Sequence, residues 1–331
     1  MQKFAAAGAI AAAIVLAAPA LAQEKLEIVT LPAGSVAHGA GSGIAGVVSQ
    51  KTKLKILAAP FAGPQVVVPQ VDAGKAAFTL INVFDTHNAY TGKKPDYKKA
   101  HRNLRLVSVG YENTGAALVR VESGIASVKD LKGKRAAGLY SAHKTCGAVA
   151  SAVLANWGLT WKDVRVVPVP SVVPGVAALG EKRVDVTPCG ALNMGIVREI
   201  NVKSPIRFLP ANPDKAAMDA ARKEFTGMRA KLFKKGSAEG ILQDQHVMVY
   251  DFYMLSHAGM AEETVYTLVK AIWENLPEIQ KTHGALRTWT REGMASADVT
   301  APYHDGAVRW FKEAKVWTPD MEAARAKLLG K

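Results

Sequence analysis

The 331 residues carry 42 Lys and Arg against 28 Asp and Glu, a formal charge of +14. With 49% hydrophobic and only 21% charged residues the chain has the makings of real cores, which excludes a disordered protein. The basic residues are scattered (Lys51, Lys53 and Lys55; Lys93, Lys94, Lys98 and Lys99; Lys231, Lys234 and Lys235), with no zinc-finger spacing, aromatic RNA motif or continuous basic helix, which excludes a nucleic-acid reader.

The chain starts as an export signal. Lys3 makes a positive start, an apolar run follows over residues 4–18, and Ala20-Leu21-Ala22 offers small residues at the two positions a signal peptidase reads. Cleavage after Ala22 places the mature protein in the periplasm, away from ATP and soluble NAD. The run is short for a membrane anchor of about 20 residues.

The roughly 310 residues that remain suffice for about two domains. Strands are expected at residues 26–31, 54–59, 76–81 and 104–109, with helices at 40–51, 64–72 and from Asn82 to Tyr90. The pattern restarts with strands at 116–121, 135–140, 164–169 and 183–187. Helices at 142–157, 174–180 and 192–200 alternate with them. This alternation predicts an α/β fold of mostly parallel sheets with helices on their faces. Residues 246–255 read as a strand, followed by helices at 261–281, 302–314 and 319–329. The last helices lack strands of their own and are expected to pack on the first domain. The chain then crosses between domains twice, near residues 111–120 and 246–256.

Several segments carry a resemblance: VDAGKAAFTLINVFDTHNAYTG, VKDLKGKRAAGLYSAHKTCGAVASAVLANWGLTWKDV, ALGEKRVDVTPCGALNMGIVREI, AEETVYTLVKAIWENLPEIQKTHGAL and APYHDGAVRWFKE. Together they resemble the solute-binding subunits of the TAXI branch of TRAP transporters, over nearly the whole mature chain. The C-terminal segments are the more specific. The resemblance implies a two-lobed periplasmic clamshell of type II kind, closing on a small organic anion and delivering it to a TRAP-type membrane permease. The expected lobes are residues 23–115 plus 252–331, and residues 116–251. A monomer with no cofactor and no catalytic activity is expected. The alternatives are a ligand-sensing subunit of a membrane signalling protein and a periplasmic enzyme.

Open α/β sheets bind ligands beyond the carboxyl ends of their strands, which selects the candidate residues independently of the family. Gly34, Ser35 and His38 lie in a loop entering a helix, where free amides attract anions. The family usually has tyrosines where this chain has Val36 and Ala37, and a proline where it has His38. His38 is either a donor to the ligand or an exposed loop residue. Ser141, Lys144 and Thr145 enter a second helix, and Lys144 faces either an anion or bulk water. Asn82 and Asn193 follow strands and both donate and accept. Asp85 or His87 is the alternative cap of the helix after Asn82. Tyr250 and Phe252 lie in the second crossing, as cleft wall or as core.

Cys146 and Cys189 both fall at the strand-carboxyl side of the second domain. A disulfide between them closes a loop of about 43 residues and stabilises by roughly 3–4 kcal/mol. His143 and Cys146 have a suggestive spacing, but no second ligand pair completes a metal site. Gly41, Gly43 and Gly46 match G-x-G-x-x-G, yet fall inside the expected first helix without a ribose-binding acid, so no dinucleotide is expected.

Overall fold

Short apolar strands feeding amphipathic helices build the first lobe, as the computed structural model shows for residues 25–94 and 96–330. The expected leader, residues 1–22, lies outside the described residues. The first units are β1 (Lys25–Thr30), α1 (Val36–Lys51), β2 (Lys55–Pro60), α2 (Pro64–Asp72), β3 (Phe78–Asn82) and α3 (Val83–Thr91). β1 pairs in parallel with β2 on one side and β3 on the other. Every residue of β3 is buried, as a parallel strand covered on both faces requires.

The glycines of α1 serve packing. A Cβ on Gly41 would meet Thr30 Cγ2 at 2.7 Å, and one on Gly43 would meet Thr282 Oγ1 at 2.0 Å. The G-x-G-x-x-G match thus lies within α1, where it lets the helix approach β1 and the segment around Thr282 closely.

β4 (Leu104–Arg120) is a single strand of 17 residues, where two separate strands were expected. Gly110, Asn113 and Gly115 interrupt the apolar pattern and make it read as two. The partners on either side keep it extended. Its first part pairs antiparallel with the second crossing strand, and its last residues pair with strands of the second lobe.

The second lobe repeats the scheme with β5 (Arg135–Gly138), α4 (Lys144–Ala155), β6 (Arg165–Pro168), α5 (Val172–Gly180), β7 (Val186–Gly190) and α6 (Gly195–Lys203). Three further elements follow that the sequence pattern does not announce: β8 (Ile206–Phe208), α7 (Lys215–Glu224) and β9 (Arg229–Phe233). They are short, and α7 buries only Met218 and Ala221. β10 (Gln245–His257) then crosses back, pairing antiparallel with β9, β4 and β3.

The main strand order is β2-β1-β3-β10-β4-β7-β5-β6, with β8 on β4 and β9 on β10. The molecule is therefore two α/β lobes joined through β4 and β10. The C-terminal helices are α8 (Glu262–Glu274), α9 (Leu276–Thr282), α10 (Asp305–Glu313) and α11 (Pro319–Leu329). The single helix expected over 261–281 is two helices, because Pro277 restarts it after Asn275. α8 and α9 pack on α1 and α10 on β4. No helix among the described residues is long and apolar enough to cross a membrane.

Candidate functional site

A cavity of about 30 Å³ lies between the lobes, where the strand-carboxyl ends face each other. Its first wall comes from α1. Ser35 has extended backbone and caps the helix, its Oγ accepting from the His38 N–H at 3.2 Å. Ser35, Val36 and Ala37 line the cavity. Asn82 does the same for α3: its Oδ1 accepts from the Asp85 N–H at 2.8 Å, so Asn82 and neither of its neighbours is the cap.

The opposite wall comes from the second lobe. His143, Thr145 and Cys146 start α4, Val172 starts α5, and Met194 precedes α6. Five helix N-termini thus converge on one small space. The first turns of α1, α4, α5 and α6 contain no acidic residue. Only α3 has one, Asp85. The unpaired amide ends of these helices place positive potential in the cavity. Among the described residues no Lys or Arg lines it.

The crossing strands make the floor. Asn113 Nδ2 donates to Tyr250 Oη at 3.0 Å, and the Leu192 N–H donates to Thr114 Oγ1 at 2.8 Å. Phe252 stacks on Tyr111 with ring centres 5.2 Å apart. Asn113 and Thr114 escaped the sequence reading. The available signal was a pair of polar residues interrupting an apolar strand.

The Cys146–Cys189 disulfide is present, with Cα atoms 5.3 Å apart, and both cysteines line the cavity. The Cys146 sulfur is thereby spoken for and is no metal ligand. Loop closure over 43 residues corresponds to a stabilisation of about 4 kcal/mol.

Beside the cavity the two lobes meet along a polar seam. Asp85 is fully buried. Its carboxylate accepts from Asn82 Nδ2 at 2.7 Å, from Gln65 Nε2 and Tyr97 Oη at 3.4 Å each, and across the lobes from Thr145 Oγ1. Burial pushes the Asp85 carboxyl up to about 6 although these donors pull it down. The Lys144 N–H donates to Gln65 Oε1 at 3.3 Å. At Gly63 the backbones approach so closely that a Cβ would lie 1.8 Å from Ala142 O. His143 is buried with its Nδ1 unpartnered, and desolvation lowers its pKa to about 4, so it is neutral at neutral pH.

The lobes also meet along a second seam. The Ile196 N–H points at Gly34 O at 3.5 Å. Asn193, held at φ 63°, abuts Gly284 so that a Cβ there would meet Asn193 Oδ1 at 2.5 Å.

Of the residues selected from sequence, Ser35, Asn82, Thr145 and Tyr250 are brought together on the cavity. Gly34 and Asn193 sit in the second seam instead. His38 is half-buried and pairs through Nδ1 with Thr30 Oγ1 at 3.0 Å. Ser141 and Lys144 are exposed and off the cavity lining. Lys144 meets the first lobe through its backbone.

The same fold occurs in solved structures of low sequence identity. A structure described as a periplasmic transporter shares 13% identity with a TM-score of 0.58, over 93% of this chain and 97% of that one. PhnD1 from Prochlorococcus marinus, in complex with methylphosphonate, shares 11% identity with a TM-score of 0.52, over 88% and 99%. A protein from Bordetella bronchiseptica RB50 shares 16% identity with a TM-score of 0.51, over 92% and 97%. The sequence pattern of the NMT1-like family matches residues 28–314, most of the chain, and the protein belongs to that family.

Proposed function

We propose that this protein is a periplasmic solute-binding protein that captures a small organic anion between its lobes and delivers it to a TRAP-type membrane permease. The observation that carries the reading is the convergence of five helix N-termini, from both lobes, on a cavity lined by no lysine or arginine among the described residues. Such an array stabilises a carboxylate, sulfonate or phosphonate through backbone amides and helix dipoles. The methylphosphonate bound by PhnD1 is an acid of this kind. A cavity of 30 Å³ holds roughly two waters, so a solute of several heavy atoms enters only when the lobes part. Closure then brings donors of both lobes onto it, which couples occupancy to lobe position.

In this reading residues 1–22 are removed on export. Residues 23–115 with 252–331 form one lobe and 116–251 the other, and the protein works as a monomer. Ser35, Asn82 and Thr145 stand nearest the acid group, while Tyr250 and Phe252 wall the apolar part. Binding without turnover suits a cavity whose one lining histidine among the described residues, His143, is neutral.

Native mass spectrometry of the mature protein, before and after denaturation and refolding, tests the proposal. A small acid released on denaturation is the expected result. An empty protein whose melting temperature is unmoved by carboxylates, sulfonates and phosphonates would sink it.

A further inference from the structure

Histidine stands immediately before α4 (His143), before α10 (His304) and before the short helix Gly284–Thr288 (His283). The last two do the ordinary work of that position. His304 Nδ1 accepts from the Gly306 N–H at 3.1 Å, and His283 Nδ1 accepts from the Ala285 N–H at 3.3 Å. His143 does not. Its side chain makes no capping bond, although the residue is only 5% exposed. Its Nδ1 is buried and has no hydrogen-bond partner among the described residues. The residue lines the cleft cavity, and burial keeps its ring neutral. A buried nitrogen left unpartnered beside the first amides of a helix calls for a hydrogen-bonding group that the solute brings in.

The surrounding charges limit what that group can be. Among the described residues no Asp or Glu lines the cavity. Asp85 stands behind Asn82 and Thr145, and both its oxygens are engaged: one by Gln65 and Tyr97, the other by Asn82 and Thr145. An ammonium group in the cleft would meet the positive ends of helices and find no carboxylate to pair with. An acid group meets free amides and the imidazole N–H.

On the reading of the cleft as an anion site, we propose that His143 is its specificity-determining residue, donating Nδ1–H to the acid group of a solute that carries no ammonium. An ionised acid oxygen only accepts, so the bound solute holds the ring proton on Nδ1. Amino acids and aminoalkyl acids are rejected because their cationic end is buried unpaired. The same acids without the amino group leave nothing unmatched.

Calorimetric titration of the mature protein at neutral pH with matched pairs tests this. The pairs are propionate and alanine, ethanesulfonate and taurine, and methylphosphonate and aminomethylphosphonate. At least one acid should bind, about tenfold or more tighter than its amino partner. His143→Leu should weaken that acid by about tenfold or more with the circular dichroism unchanged. His143→Asn, which returns an N–H close to the place of Nδ1, should recover most of the loss. In wild-type protein labelled at the histidine ring nitrogens, the His143 Nδ1 resonance should move when the acid is added. An acid that binds no better than its amino partner, that leaves this resonance unmoved, or that binds His143→Leu as well as wild type would overturn the proposal while leaving an anion site in the cleft. No binding by any of these probes up to about 10 mM would overturn both.

Discussion

The two seams that join the lobes are built from different materials. The one at Asp85 uses a buried carboxylate, a hydroxyl across the gap and two backbones in close approach. The one at Asn193 uses a long backbone contact and a side chain resting against a glycine. The first is rigid and titratable. The second can yield by moving a side-chain tip. Closure energetics are therefore expected to reside at the Asp85 seam, with the Asn193 seam acting as a compliant stop.

Gly63→Val is the strongest way to break this contrast. Gly63 has extended backbone that any residue adopts, so the effect is steric alone: the added carbon meets Ala142 O. The lobes should be held apart, with a larger radius of gyration in small-angle scattering. Solute affinity should fall by about 100-fold or more, since several kcal/mol are needed to drive such an equilibrium across.

Acidity sharpens the contrast next. Asp85 titrates near 6 in the folded protein against 3.8 ordinarily. Its contribution to stability is full below about pH 4 and is lost as pH rises to 6, about 3 kcal/mol in all. His143 has the opposite sign. Held down to about 4 from 6.5, it contributes fully above 6.5 and loses about 3 kcal/mol as pH falls to 4. The two offset each other across a shared window. Urea unfolding between pH 6.5 and 4 should show a steeper acid loss in Asp85→Asn and a shallower one in His143→Gln. Parallel profiles for both variants and the wild type would remove the titratable seam.

Thr145→Val takes one charge-assisted hydrogen bond from Asp85, worth about 1.5–3 kcal/mol. Solute binding should weaken about 10- to 100-fold, and Thr145→Ser should restore most of it. At the other seam, Gly284→Ala meets only the movable end of Asn193, so affinity should change less than about threefold. A larger loss there than in Thr145→Val would reverse the assignment of the two seams.

Much of the fold is legible in the sequence because β/α alternation with short apolar strands leaves few other solutions. The crossing at 104–120 is not, since its continuity rests on pairing with β10, β7 and β8, which local pattern does not encode. The segment from 205 to 245 is too polar to declare β8, α7 and β9. At the site, the rule of strand-carboxyl ends finds Ser35, Asn82 and Thr145. It misses Asn113 and Thr114, which lie within a strand and not after one. Asp85 reads as a possible cap. Its burial depends on Gln65, Tyr97 and Thr145 arriving from three other segments, a fact of tertiary packing. Lys144 reads either as an anion contact or as a residue facing bulk water; its amide meets Gln65 of the first lobe, a contact that local pattern does not announce.

β10 also constrains how this protein can change over time. Tyr250 and Phe252 line the cleft cavity while Asp251 and Tyr253 line a second cavity on the other side of the strand, so a one-residue insertion or deletion near Asp251 would exchange the two walls, sending a carboxylate into the cleft and an aromatic ring behind it. Lineages descended from this chain can vary either cavity by substitution at alternate positions, each without touching the other. A change of length at this strand alters both walls at once.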